Sequence, residues 1–117
     1  MGIFALVLSC IAAGTVVAIT VALTLKWIIR RTKEKMALGK VNKSLIADIR
    51  ALELECDNKM SLEKLTELTT RGCSHIIADV GQDGSLVEIT GIRDRNQSLD
   101  EEVAKLLGSK GMVVLED

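Results

Sequence analysis

Residues 3–25, IFALVLSCIAAGTVVAITVALTL, run for 23 positions without one charged side chain. As a single helix rising about 1.5 Å per residue, such a stretch would reach roughly 34 Å, enough to cross a hydrocarbon core of about 30 Å. A cleaved signal peptide would carry Lys or Arg ahead of a shorter apolar run, with small residues after it. Here no basic side chain precedes the run, and Lys26, Trp27 and Arg30 follow it. The sequence therefore predicts one transmembrane helix with an interfacial end over residues 1–29, retained in the chain.

Charge sets the expected orientation. Between positions 26 and 43 stand Lys26, Arg30, Arg31, Lys33, Lys35, Lys40 and Lys43 against the single acid Glu34, a net of plus six. Basic residues this close to a span are retained on the cytoplasmic side. The expected topology is single-pass, with the N-terminus outside and the C-terminal domain cytoplasmic. Lys26, Trp27, Arg30, Arg31, Lys33 and Lys35 are the candidate contacts to lipid headgroups, Trp27 fitting the interfacial belt. Residues 44–117 reverse the sign, with eight Lys or Arg against fifteen Asp or Glu, or minus seven. An acidic head repels phosphate, so no nucleic-acid partner is expected.

Within the run, Cys10, Gly14, Ala18 and Ala22 recur every four residues. A ridge of small side chains lets helix backbones approach closely in lipid, which makes these four a candidate packing face for self-association or a partner membrane protein. Further on, Leu38, Val41, Leu45, Ile49 and Leu52 fall at helical spacing and define a candidate helix interaction face within a basic collar and amphipathic helix over 30–59.

Residues 60–117 read as a small domain. Ser61 is a plausible N-cap for a helix that Gly72 ends. Residues 74–80 and 85–92 read as strands about the turn Gly81-Gln82-Asp83-Gly84. Ser98 and Glu101 have the spacing of a capping box, opening a helix that stops at Gly108, and 111–116 is a last apolar strand. The expected fold class is a membrane-anchored α+β chain: one N-terminal transmembrane helix, a juxtamembrane amphipathic helix, then an α-β-β-α-β domain.

Chemistry is sparse. The chain has one histidine, His75, no tyrosine or proline, and only Phe4 and Trp27 as aromatics. Cys10, Cys56 and Cys73 are odd in number and unrelated in spacing, which is not a disulfide framework. Cys73 and His75, two apart, would share a strand face, but they lack a third orienting group and a four-ligand zinc set. Gly108-Ser109-Lys110-Gly111 follows a helix and precedes a strand, which suits a helix stop better than a phosphate clamp. No catalytic, metal or cofactor residues are assigned, and no small-molecule substrate is expected. The sequence favours a non-catalytic membrane-tethered adaptor or assembly subunit whose acidic head docks a partner protein. The alternatives are a homo-oligomeric scaffold or ring subunit built through the transmembrane and 38–56 helices, and a small enzyme or metal protein centred on Cys73 and His75.

Overall fold

The computed structural model describes residues 3–13, 16–96 and 98–116. Its centre is a five-stranded mixed sheet ordered β1-β4-β3-β2-β5, in which β1 runs parallel to β4 and every other pair is antiparallel.

The apolar N-terminal run does not form one helix. It divides into α1 (Ile3–Ala13) and β1 (Val16–Val21), and the basic segment becomes α2 (Leu25–Ala37). At 11 residues, α1 is about 16 Å long, roughly half a hydrocarbon core. Among the described residues no helix is long and apolar enough to cross a membrane, so the expected transmembrane helix, the single-pass topology and the membrane-anchored fold class are corrected. The reason is local. Val16, Val17, Ile19, Thr20 and Val21 are β-branched and fit a pleated surface, and β1 finds a ladder along β4 from Val16↔Ile89 to Val21↔Asp94. Val7 and Ile11 of α1 are fully buried against the sheet's helical cover rather than turned to lipid.

The expected amphipathic helix is also divided. Gly39, at φ 76, follows the C-cap Leu38 of α2, a left-handed conformation that glycine takes without steric cost. The chain then enters β2 (Lys43–Asp48), a central strand between β3 and β5. Asp48 ends that strand and caps α3 (Ile49–Glu55), its carboxylate accepting from Arg50 N at 2.8 Å. From α4 (Lys59–Thr70) onward the expected elements are present: β3 (His75–Val80), β4 (Leu86–Asp94), α5 (Glu101–Leu107) and β5 (Met112–Glu116). Two caps shift by a few positions. Asn58 caps α4, while Ser61 is buried and donates to Leu8 O at 2.7 Å, joining α4 to α1. Asp100 caps α5, accepting from Glu102 N and Val103 N.

Helices cover both faces of the sheet. On one, Val7 and Ile11 of α1, Leu52 of α3 and Leu65 and Leu68 of α4 pack on Leu45, Ala47, Ile76, Ala78 and Ile89. On the other, Ile28 of α2 and Val103 and Leu107 of α5 pack on Ile46, Ile77 and Ile92. A three-layer α/β/α arrangement lets a strand such as β3, buried at every position, read as continuous apolar sequence.

Candidate functional site at one end of the sheet

The register gathers Val21, Asp94, His75, Asp48 and Met112 at one end of the sheet, where β1, β2 and β4 finish and β3 and β5 begin. In open α/β sheets the crevices outside strand carboxyl ends are where ligands bind. Here α2, α3 and α5 all start from this end.

His75 is 4% exposed at its centre. Its Nδ1 lies 2.7 Å from Ser74 Oγ, and its Nε2 is buried without a hydrogen-bond partner among the described residues. Burial pushes the imidazole's pKa down, while the carboxylates of Asp48 and Asp94 pull it up. Asp94 Oδ1 accepts from Leu23 N and from Asn96 N, both at 3.0 Å, and so ties the loop after β4 to the start of α2. A cavity of about 170 Å³ lies beside the ring, walled by Gly72, Ser74, His75, Asp94, Asn96, Ser98 and Leu99.

Leu99 also borders a larger groove of about 700 Å³ between α3, α5 and the loop that enters β5. Ala51, Leu54, Ala104, Leu107 and Met112 supply the rest of its apolar wall, and Asp48, Arg50, Glu55 and Lys110 its polar one. Leu54 is 88% exposed, more than any other large hydrophobic side chain among the described residues. The loop Gly108-Ser109-Lys110-Gly111 shapes one side. Gly111, at φ 72, lies so close to α3 that a Cβ there would stand 3.1 Å from Ala51 Cβ.

The residues singled out in the sequence are dispersed. Cys10 and Ala18 lie on α1 and β1 and pack on the same apolar cluster, Ala22 follows β1, and Gly14 is outside the described residues. Of the basic set, Trp27 packs under α2, Arg31 pairs with Asp79 and Lys35 pairs with Glu88. Lys26, Arg30 and Lys33 remain on the exposed side of α2. Leu38 is 71% exposed at the end of α2, whereas Val41, Leu45, Ile49 and Leu52 are buried on a loop, a strand and a short helix.

Cys73 and His75 are not brought together. Cys73 still belongs to the wrap that ends α4, its N–H donating to Leu68 O at 3.0 Å, and its side chain enters the cluster under α1 and α4. His75 opens β3 on the alternation of Ile77, toward α2 and α5. Among the described residues no three His, Cys, Asp or Glu side chains converge as metal ligands.

Sequence reasoning passed over Asp48, Asp94, Leu54 and Leu99. One signal was available: Leu54 is a large apolar residue off the stripe that Leu45, Ile49 and Leu52 follow. The chain matches no protein-family model, no curated protein and no solved structure.

Proposed function

We propose that this protein is a docking module, rather than an enzyme, and that the groove between α3 and α5 receives an apolar-faced helix of a partner protein. The observation that supports this reading is Leu54, exposed on the wall of a concave apolar surface. Exposed apolar surface gathered into a concavity marks sites where another molecule completes the burial. Two parallel features favour a helix as the occupant. The groove runs between two helices, the setting in which an amphipathic helix inserts its anchors. Its charged margin is balanced, Arg50 and Lys110 against Asp48 and Glu55, so apolar contact rather than net charge would hold the occupant.

The test is a photoreactive residue at Leu54 in cells that express the protein, followed by measurement with the purified partner it identifies. Leu54→Asp is expected to weaken that complex about tenfold or more, the effect of losing one well-packed anchor. Leu38→Asp, at another exposed leucine that does not line the groove, is the control and should leave affinity unchanged. Equal loss in both variants, or in neither, refutes the groove. Crosslinks only to a second copy of the chain would replace the partner with self-association.

A further inference from the structure

The two edges of the sheet are finished differently, and the difference does not depend on what the groove binds. We propose that β5 is the contact through which two copies of this chain pair, antiparallel about a two-fold axis at Val114, so that their sheets join into one.

The unpaired groups follow from the register. Asp48 N donates to Gly111 O at 2.8 Å, and the β2–β5 ladder continues through Ile46↔Val113 and Ser44↔Leu115. In an antiparallel pair the backbone groups of alternate residues turn to opposite sides. The N–H and C=O groups of Met112, Val114 and Glu116 therefore point off the sheet, and among the described residues no loop or helix backbone bonds them. The side chains tell the same story. Met112 and Val114 border the cluster under α1, α3 and α4, and Val113 and Leu115 border the one under α2 and α5. All four are only half-buried, whereas β3 is buried at every position. One more strand alongside completes both layers.

Edges that stay single are blunted by charged side chains, proline or a bulge. On β1, Arg95 Nη2 stands 3.5 Å from the outward carbonyl of Thr20, and Arg93 Nε donates to Thr20 Oγ1 at 2.9 Å. β5 has an unbroken register, no proline and no charge before Glu116. The Glu116 carboxylate leans back toward Lys43 of β2, at 3.7 Å.

The order of residues selects a second copy as the occupant. With the axis at Val114, that residue faces its own counterpart and Met112 faces Glu116. These are the residues whose backbone groups point outward, so each pair closes both of its hydrogen bonds. Val113 then opposes Leu115 in the closer, non-bonded pairs, where aliphatic side chains meet across the strands. Charge agrees: Lys110 precedes the strand and Glu116 ends it, so antiparallel copies bring opposite charges together at both ends. Parallel copies would set like beside like.

Light scattering on the full-length protein across a concentration series is expected to show paired chains giving way to single ones on dilution. Val114→Pro removes an outward N–H and no bond of the β2–β5 ladder, so it is expected to weaken pairing about tenfold or more. A backbone amide spectrum shows whether the variant is folded. Should it not fold, a pair of cysteine variants decides alone. Directly opposed residues of a bonded pair have Cα atoms about 5.5 Å apart, within disulfide reach, whereas positions 113 of the two copies lie beyond about 7 Å. Mild oxidation should therefore link copies through position 114 in Val114→Cys and not through position 113 in Val113→Cys, as read by peptide mass spectrometry. A single chain at every concentration up to about 1 mM overturns the proposal. So does a dimer that folded Val114→Pro leaves intact, or linkage at 113 as ready as at 114.

Discussion

Arg31 of α2 grips Asp79 of β3 with both terminal nitrogens, Nη1 to Oδ1 at 3.1 Å and Nη2 to Oδ2 at 2.9 Å. The aspartate side chain is 1% exposed and the arginine 11%. Ser44 Oγ donates to the same Oδ1 at 2.7 Å, so three donors from two elements meet one buried carboxylate. A bidentate guanidinium–carboxylate pair fixes both partners in a plane. It locks the basic helix onto the sheet face that would otherwise bury an acid alone.

Removing one partner of such a pair leaves an uncompensated buried charge, which costs about 3–5 kcal/mol. Arg31→Met is therefore expected to lower unfolding free energy by about that amount in urea titrations. Adding Asp79→Leu should recover much of the loss, because the doubly substituted site buries no charge. A double variant as unstable as the sum of the single ones would show that the two residues act independently.

The N-terminal apolar run carries a second prediction. Ile11 is fully buried and packs in the cluster that contains Leu65, Leu68 and Ile76. Ile11→Ala should cost about 2–5 kcal/mol, the range for emptying a core site. A helix that only anchored a separate domain would leave that domain's denaturation midpoint unmoved.

Two of the three thiols, Cys56 and Cys73, should differ in reactivity. Cys73 is buried, and that burial raises its pKa against the opposing pull of Arg93 and Arg71. The reactive thiolate is thereby made scarce at neutral pH. Cys56, half-buried at the end of α3, donates to Asn58 O and lies closer to solvent. Iodoacetamide near pH 8 is expected to label Cys56 in the folded protein and Cys73 only after denaturant is added, as read by peptide mass spectrometry. Labelling of Cys73 at the rate of Cys56 without denaturant would refute its burial.

What the sequence disclosed followed the strength of its local signals. The turn at 81–84 lies between the two strands it predicts, because Asp83 accepts from Ser85 N and Gly84 takes φ 82 there. The helix opened near Ser98 and closed by Gly108 is likewise present as α5. Both are short-range features, settled by neighbours in sequence. The failures share another physical origin. In a continuous apolar stretch the helical period and the strand period coincide, so periodicity could not separate α1 from β1. The density of Val, Ile and Thr from Val16 to Val21 was the available clue, and length outweighed it. The same ambiguity hid β2: Leu45 belongs to the strand and Ile49 to the helix after it, yet their spacing is that of one helical face. Asp48 separates them as the N-cap of α3, but a lone aspartate is equally at home on the polar face of a helix. Of the site at the sheet end only His75 stands out in the sequence, because Asp48 and Asp94 join it only through pairing across β2, β3 and β4.

His75 makes stability depend on pH in a window that other groups leave largely clear. Burial holds its pKa below the ordinary 6.5, with Asp48 and Asp94 opposing but not cancelling that effect. Between the lowered value and about 6.5, an unfolded chain binds the proton that the folded chain refuses. The unfolded state then carries more protons, so stability falls as pH drops through this window and is complete above it. Most Asp and Glu side chains titrate near pH 4, which isolates the histidine between about pH 5 and 7. Urea midpoints measured across that interval should decline toward acid in the native sequence and stay nearly level in His75→Gln. NMR titration of the imidazole in the folded protein should place its midpoint below that of the same histidine in urea. A native midpoint at or above 6.5 would mean that the carboxylates of Asp48 and Asp94, not burial, govern the ring.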